Sequence, residues 1–374
     1  MSKIVFITMH YVDNYGSVLQ TLATQLIFQE LGHEAFVLDY VRANCKSDVQ
    51  ASKVRGRYLG KRWPFCSALG VWLLMKRYKY NTAKHKRMFD DFRDKYFQRT
   101  REYLTVQDIY ADVPEADIYC TGSDQTWNSI YNGGILPEYF LDFAPDGKPR
   151  LAFSASIGRT DLDNDEVKKT TPLVAKYNAI SVRESSALRE LEKMGFDKGV
   201  HIVDPTLTIS GQDWLKVLSI QSRKQKPYVL VYQLNFNPDM LRFARRLAKE
   251  NNLQLLVMNT SIKARFFGGH QLGRPKVEEW VSLFANAEYV VTDSFHGTAF
   301  SLNFNRKLFV WYPPEFSTRL QSILAMVGAE HRVIDNKDVD WRKIAPIDYE
   351  YVNEVLARER QKARDFLVGA IGRG

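Results

Sequence analysis

The tetrapeptide Ser294-Phe295-His296-Gly297 places a titratable imidazole between two predicted elements. Residues 288–292 (EYVVT) predict a short buried strand, and residues 298–304 (TAFSLNF) predict the apolar start of a helix. His296 therefore lies where a strand ends and a helix begins, which is where open α/β sheets bind ligands and where free backbone N–H groups attract anions. An imidazole beside an anion site is typical of a general acid or base. The alternative is a histidine that only caps or packs the helix.

Two polar loops follow other predicted strands. The loop at 14–17 can offer backbone N–H groups, an amide and a hydroxyl to a sugar or phosphate, and the loop at 122–128 adds a carboxylate, amides and an indole ring for stacking. The second loop is equally typical of a turn that caps a helix. Neither loop contains Gly-Lys-Ser/Thr, and the chain has no Gly-x-Gly-x-x-Gly, so phosphate-loop and dinucleotide sites are not indicated. The candidate ligand-binding residues are Asn14, Tyr15, Gly16, Ser17, Ser123, Asp124, Gln125, Trp127 and Asn128.

Two arginines are candidate anion ligands. Arg183 directly follows the predicted strand Ala179–Val182, and Arg319 lies in the first turn of a predicted helix. A guanidinium pairs in bidentate fashion with phosphate or carboxylate, although a lone arginine is more often a surface or salt-bridge residue. No group of His, Cys, Asp and Glu has metal-ligand spacing, so we expect no metal and no cofactor.

Composition indicates an ordinary globular protein. The 374 residues are 45% hydrophobic and 25% charged, a length that predicts two domains. No apolar run approaches the roughly 18–20 residues of a spanning helix. Cys45, Cys66 and Cys120 are far apart and cannot all pair, which is typical of reduced thiols in a cytoplasmic protein.

The net charge of +9 is unevenly distributed. Between Ala51 and Arg101 there are fifteen Lys and Arg but three acids, an excess of +12, and the segment is rich in aromatic residues. Such a stretch suits an anionic membrane surface or a phosphorylated lipid, whereas no nucleic-acid recognition motif accompanies the charge. A solvated helical insertion that packs its aromatic residues inward is an equally good interpretation.

Strand-like apolar runs alternate with helical periodicity over most of the chain, which predicts mainly parallel sheets. We expect an α/β protein with two Rossmann-like domains facing one another across a cleft. The predicted divisions are residues 1–205, with a basic helical insertion at about 45–105, then 206–350, and a terminal helix within 351–374 that crosses back. The last strands are predicted at Leu308–Tyr312 and Arg332–Ile334.

Taken together, the motifs resemble the polysaccharide pyruvyl transferase family. The resemblance is carried in order by Asp13-Asn14-Tyr15-Gly16-Ser17-Val18-Leu19-Gln20, Gly122-Ser123-Asp124-Gln125-Thr126-Trp127-Asn128, Ile180-Ser181-Val182-Arg183-Glu184, Val203-Asp204-Pro205-Thr206 and the stretch from Thr292 to Leu302. It covers nearly the whole chain apart from the basic segment. Each piece alone is a weak signal, whereas five in order are specific.

This resemblance implies a fold like that of the GT-B glycosyltransferases. It also implies transfer of a pyruvyl group from phosphoenolpyruvate (PEP) onto two sugar hydroxyls, with release of phosphate. Such enzymes act in capsule, exopolysaccharide or cell-wall glycan assembly, often on a polyprenyl-diphosphate-linked saccharide. The acceptor would then bind the first domain and PEP the second.

The family's catalytic histidine maps onto His296 and a PEP-binding arginine onto Arg183. Phe295 and Gly297 flank that histidine and are expected to line the site. Some members have another arginine two residues before the histidine, but Ser294 occupies that position here. The missing cation must then come from elsewhere, and the candidates are Arg319, Arg265 and Arg159.

Two other functions fit the same architecture. A nucleotide-sugar glycosyltransferase would need an acidic ribose ligand in the second domain, and the sequence shows no clear one. A glycan-binding protein without catalysis would bind sugar but release no phosphate from PEP.

The basic segment predicts an electrostatic attachment to the inner leaflet, where a polyprenyl diphosphate acceptor would lie. We expect sedimentation with anionic liposomes at low salt and release at high salt, because screening weakens attraction between exposed charges. Equal recovery with neutral and anionic liposomes would contradict this expectation.

Overall fold

The computed structural model describes residues 1–42, 68–221, 226–259, 261–313 and 317–372, with the backbone alone at 68–75, 77–82 and 262. The amino-terminal part contains a six-stranded parallel sheet. Its strands are β1 (Lys3–Ile7), β2 (Glu34–Val37), β3 (Ile118–Thr121), β4 (Arg150–Ala155), β5 (Ala179–Val182) and β6 (Val200–His201), in the spatial order β2-β1-β3-β4-β5-β6. Most positions of these strands are buried because helices cover both faces.

The second sheet is also parallel and has five strands. They are β7 (Tyr228–Gln233), β8 (Gln254–Asn259), β9 (His270–Gln271), β10 (Tyr289–Thr292) and β11 (Lys307–Val310), in the order β11-β10-β7-β8-β9. The two sheets confirm the predicted α/β class with two Rossmann-like units. The division at residue 205 falls between the last strand of the first sheet and the first strand of the second, and it stays a prediction.

Helices connect the strands. Those of the first unit are α1 (Tyr15–Glu30), α2 (Ala68–Tyr96), α3 (Val106–Ala111), α4 (Ser129–Asn132), α5 (Asn164–Val174) and α6 (Ser186–Lys193). Next come α7 (Pro205–Thr208), α8 (Gly211–Val217), α9 (Pro238–Glu250), α10 (Val277–Asn286), α11 (Phe295–Asn303), α12 (Thr318–Met326) and α13 (Tyr349–Ile371). Short 3₁₀ turns occur at Pro137–Phe140, Ile262–Phe267, Glu330–Arg332 and Trp341–Lys343.

Each sheet reverses its strand order at one point. In the first sheet β1 lies between β2 and β3, and in the second β7 lies between β8 and β10. Loops diverge at such a point and leave a crevice at the carboxyl ends of the strands. The loops that follow β1, β3, β7 and β10 are therefore brought to the two crevices.

The two units pack together through α1, which is buried over nearly its whole length. Its first residue, Tyr15, stacks on Trp280 of α10 with ring centroids 5.2 Å apart, and its hydroxyl donates to the Pro275 carbonyl at 2.7 Å. Asn14 caps the helix by accepting a hydrogen bond from the Gly16 N–H at 2.8 Å. The amino end of α1 is thereby held against the second unit.

The terminal helix α13 extends along both units. Arg364 pairs with Glu30 of α1, and Arg360 donates to the Leu207 carbonyl at 3.0 Å and to the Asn303 amide oxygen at 2.8 Å. The helix thus contacts α1, α7 and α11, which lie around the junction of the two sheets.

Two predictions about local structure were wrong. The strand expected at Arg332–Ile334 is a 3₁₀ turn followed by a single bridge between Val333 and Val310. The turn forms because the Arg332 N–H bonds to the Ala329 carbonyl, which leaves one residue in register with β11. The helix expected from Thr298 begins at Phe295 because Ser294 caps it, so His296 lies inside the first turn.

The basic segment is only partly described. Residues 43–67, which include Cys45, Cys66, Tyr58, Trp63 and Phe65, lie outside the described residues. Phe89, Phe92 and Phe97 are buried in the main core, as the inward-packing interpretation predicts. Within the described part of the chain, no helix is both long enough and apolar enough to span a bilayer. Membrane attachment stays a prediction.

Candidate active site

His296 is the second residue of α11, directly after β10. The Ser294 hydroxyl accepts a hydrogen bond from the Gly297 N–H at 3.3 Å, so the serine rather than the histidine caps the helix. This leaves the imidazole free to point away from its own helix. The His296 side chain is 13% exposed.

The backbone of Gly16 packs directly against this imidazole. A Cβ atom at Gly16 would lie 2.0 Å from His296 Nδ1, closer than any real contact allows. Gly16 belongs to the loop after β1, and His296 follows β10, so the contact joins the two crevices. The amino end of α1, with its partial positive charge, therefore lies beside the imidazole.

Asp204 faces His296 from the other side. It follows β6, and its Oδ2 lies 3.7 Å from His296 Nε2, within ion-pair range but too long for a hydrogen bond. Its Oδ1 accepts from the Thr206 N–H at 3.0 Å and from the Thr206 hydroxyl at 2.7 Å. The carboxylate is fully buried and is fixed in orientation by these bonds.

Arg183 shares the same carboxylate oxygen. Its Nη1 donates to Asp204 Oδ2 at 2.5 Å, so one buried oxygen is placed between a guanidinium and an imidazole. Two further carboxylates lie around Arg183, with Asp124 Oδ1 3.8 Å from Nη2 and Glu184 Oε2 4.0 Å from Nε. Both of these nitrogens are buried and lack a hydrogen-bond partner among the described residues.

The charges in this cluster stabilise one another. Burial alone would raise the pKa of the Asp204 carboxyl, but the His296 imidazole and the Arg183 guanidinium lower that pKa far below its usual range. Burial disfavours the charged form of Arg183, yet Asp204, Asp124 and Glu184 together raise its pKa. Asp204 therefore stays ionised and Arg183 stays charged at any physiological pH.

A small open cavity adjoins this cluster and is lined by Arg183 and Asp204 but not by His296. Phe295 also lines it, as do Arg319 and Ser322 of α12. The centroid of the Phe295 ring lies 5.4 Å from Arg183 Cζ and 5.8 Å from Arg319 Cζ. The lining thus includes three residues that the sequence predicted for the site, Arg183, Phe295 and Arg319, and one that it did not, Asp204.

Two arginines line the cavity. Arg183 has carboxylates nearby, whereas Arg319 has none within 4.0 Å among the described residues. Burial and the nearby Arg183 guanidinium lower its pKa, which means that the site disfavours two adjacent positive charges. An anion bound between the two arginines would relieve that repulsion. The Asp124 and Glu184 carboxylates do not line the cavity, so an anion would approach Arg183 from the Phe295 side.

Part of the loop at 122–128 reaches the cluster. Asp124 accepts a hydrogen bond from the Ser17 hydroxyl at 2.7 Å and lies near Arg183, which links the loops after β1 and β3. The other predicted residues of this loop mainly support its structure. The Ser123 hydroxyl donates to the Ser154 carbonyl, and Asn128 caps α4 and donates to Gln125 Oε1 at 2.7 Å.

Trp127 is placed differently from the prediction. Its ring is 5% exposed and stacks on Phe140, and its indole N–H donates to the Tyr139 carbonyl at 3.0 Å. The ring belongs to the core beside the first sheet, so it has no free face on which a sugar could stack. Burial of the Trp127 indole is tolerated because its N–H donates a hydrogen bond to a backbone carbonyl.

Of the other arginines considered, Arg159 pairs with Glu166 and donates to the Ser129 hydroxyl, so its charge is already compensated. Arg265 lies in the exposed 3₁₀ turn after β8 and does not line the cavity. Arg319 is therefore the best replacement for the cation missing at Ser294.

Sequence reasoning missed the role of Asp204. The available signal was its position directly after a short strand, the same position that singled out Arg183 and His296. Asp293 lies directly after β10, but Ser294 rather than Asp293 caps α11. It accepts hydrogen bonds from the Leu234 and Asn235 N–H groups at 2.7 and 2.8 Å, which connects the loops after β10 and β7.

Solved structures of similar fold are UDP-GlcNAc 2-epimerases. The Neisseria meningitidis enzyme, bound to UDP-GlcNAc, has a TM-score of 0.51 at 10% identity, covering 100% of this chain and 99% of that chain. The Methanocaldococcus jannaschii enzyme has a TM-score of 0.54 at 9% identity, with the same coverage. A putative enzyme from Listeria monocytogenes has a TM-score of 0.53 at 12% identity, covering 99% of this chain and 95% of that chain. These similarities confirm the GT-B fold.

No curated protein matches the chain in a sequence comparison. The family model for polysaccharide pyruvyl transferase matches residues 14–310, well over half of the chain, and this range includes Gly16, Arg183, Asp204 and His296. The chain therefore belongs to the polysaccharide pyruvyl transferase family.

Proposed function

We propose that this protein transfers the pyruvyl group of PEP onto two hydroxyls of a sugar, forming a cyclic ketal and releasing phosphate. The observation that supports this best is the shared Asp204 carboxylate, which holds His296 and Arg183 together next to a cavity containing a second arginine. PEP is a small trianion whose reaction begins with proton transfer. It needs an acid and paired cations within one small site.

The donor binds in the cavity between Arg183 and Arg319. Its carboxylate and phosphate pair with the guanidinium groups of Arg183 and Arg319, both of which line the cavity. Preorganised cations of this kind stabilise the charge that develops on a leaving phosphate. Phe295 contributes an apolar ring to the cavity lining beside both guanidinium groups.

His296 supplies the proton. A protonated imidazole donates to the methylene carbon of PEP, and the electron-poor C2 is attacked by the oxygen of one sugar hydroxyl. That hydroxyl loses its proton to the now neutral imidazole. The bond between C2 and the phosphate oxygen then breaks and phosphate leaves with the electron pair of that bond. The second hydroxyl adds to C2, and its proton passes to the departing phosphate. The sum is PEP plus a diol giving ketal plus phosphate.

Asp204 and Gly16 position the acid. The Asp204 carboxylate at 3.7 Å attracts the imidazolium, and the Gly16 backbone closes off the opposite side of the ring. Ser17, next to Gly16, donates its hydroxyl hydrogen to Asp124 at 2.7 Å, and this pair forms the adjoining part of the site. The acceptor is a saccharide linked to polyprenyl diphosphate, and the protein acts in the cytoplasm at the inner face of the membrane.

We expect His296→Ala to reduce PEP-dependent phosphate release by roughly 10²–10⁴-fold, because a positioned proton donor contributes about that much. Phosphate release is measured with lipid-linked saccharides extracted from membranes, and UDP release from UDP-sugars is measured in parallel. The exposed His331→Ala serves as the matched control and should retain full activity. UDP release without phosphate release would favour a nucleotide-sugar glycosyltransferase instead.

Gly16→Ala tests the positioning of the imidazole without removing any reacting group. The added methyl group would occupy the space of His296 Nδ1 and displace the ring by about 1 Å or more, and such a misplacement costs roughly 100-fold in rate. Gly369→Ala is the control, because Gly369 also lies in a helix and a Cβ there meets nothing within 4 Å. Equal activity of the two variants would contradict the positioning role.

Asp204→Asn removes the charge that attracts the imidazolium while keeping the shape of the side chain. Activity should fall at least about tenfold, because the imidazole loses the carboxylate that attracts its cationic form. The control is Asp39→Asn, which alters a second histidine–aspartate pair, His10 with Asp39 at 3.1 Å. Equal activity of Asp204→Asn and Asp39→Asn would contradict a positioning role for the Asp204 carboxylate.

A further inference from the structure

A cationic and aromatic surface adjoins the active site on the edge of the second sheet. It consists of Leu234 and Phe236 in the loop after β7 and of Lys263, Arg265 and Phe266 in the 3₁₀ turn after β8. We name these five residues the edge platform. Since β10, β7 and β8 are neighbours in the sheet, the platform lies about 5–10 Å along the edge from the loop that carries His296.

The platform exposes more apolar surface than a structural role requires. Phe266 is 84% exposed, Leu234 46% and Phe236 37%. Phe236 contacts Phe267 with ring centroids 5.9 Å apart, and Lys263 Nζ lies 5.8 Å from the centroid of the Phe236 ring. Exposed rings combined with adjacent cations are typical of a ligand surface rather than of a solvated loop.

The charge of this region has one sign. From residue 251 to residue 277 the sequence contains Lys263, Arg265, Arg274 and Lys276 but no Asp or Glu. Within the described part of the chain, neither Lys263 nor Arg265 has a carboxylate within 4.0 Å. The two cations are therefore available to bind phosphate groups.

The platform is firmly connected to the catalytic loop. The Asp293 carboxylate accepts hydrogen bonds from the Leu234 N–H, the Asn235 N–H and the Asn235 amide, and Asp293 lies three residues before His296. A ligand bound on the platform would therefore keep a constant distance from the imidazole. A constant distance of this kind would place the reacting sugar of a bound acceptor at one defined position near the imidazole.

We propose that the edge platform binds the isoprenyl diphosphate portion of the acceptor. Lys263 and Arg265 hold the diphosphate, and Leu234, Phe236 and Phe266 contact the first isoprenyl units. A nucleoside diphosphate would also offer phosphates and a flat group. Rossmann units, however, bind ribose through an acid near the end of the second strand, and the chain has none between residues 251 and 277. The proposal rests on the proposed function for the identity of the acceptor, and it places part of the acceptor on the second unit rather than on the first.

The test measures binding of farnesyl diphosphate to the full-length protein by calorimetry, with inorganic pyrophosphate and UDP as comparison ligands. Farnesyl diphosphate should bind more tightly than pyrophosphate, because the chain adds apolar contact. Lys263→Ala/Arg265→Ala should weaken its binding at least about tenfold. Phe236→Ala/Phe266→Ala should reduce its affinity to that of pyrophosphate. The control Lys168→Ala/Lys198→Ala, which removes two exposed lysines without ion pairs among the described residues, should leave it unchanged.

Three outcomes would overturn the proposal. They are unchanged binding in both platform variants, tighter binding of UDP than of farnesyl diphosphate, and platform-dependent binding to phosphatidylglycerol vesicles without binding of farnesyl diphosphate in solution. PEP binding is measured on the same variants and should be retained. Absence of farnesyl diphosphate binding by the parent protein, with PEP turnover intact, would refute the platform, whereas farnesyl diphosphate binding without PEP turnover would refute the proposed function.

Discussion

One buried carboxylate oxygen organises this site. Asp204 Oδ2 lies between Arg183 Nη1 and His296 Nε2, and burying that charge is tolerable because both neighbours are cationic or can become so. The two neighbouring side chains also depend on the Asp204 carboxylate. Arg183 is itself buried and needs the carboxylate, and the imidazole keeps its orientation because Asp204 is fixed by Thr206.

The site exists only where the two sheets meet. Arg183 and Asp204 follow strands of the first sheet, whereas His296 and Arg319 follow strands of the second. The buried helix α1 holds the two together, because its first turn places Tyr15 against Trp280 and Gly16 against His296. Packing at this junction therefore determines the distances of Arg183 and Asp204 from His296 and Arg319.

The fold itself leaves the chemistry open. UDP-GlcNAc 2-epimerases have the same architecture at about 10% identity, so the GT-B arrangement determines where a ligand binds rather than what reacts. In this chain the crevice contains a charged cluster of three carboxylates, two arginines and an imidazole. Of the three carboxylates, Asp204 lines the cavity beside Arg183 and Arg319, whereas Asp124 and Glu184 do not.

The sequence by itself determined the α/β class, the positions of most strands, and the location of His296 and Arg183 in the loops that follow strands. These follow from local signals, since short apolar runs bounded by polar loops identify strands and the residues directly after them. Local signals were insufficient for Trp127, because an indole beside polar residues looks the same whether its ring faces a ligand or the core. They were also insufficient for Asp204, which lies 92 residues from His296 in sequence. Only the tertiary structure decided which of these charges share one site, because contacts between residues that follow different strands depend on how the two sheets pack.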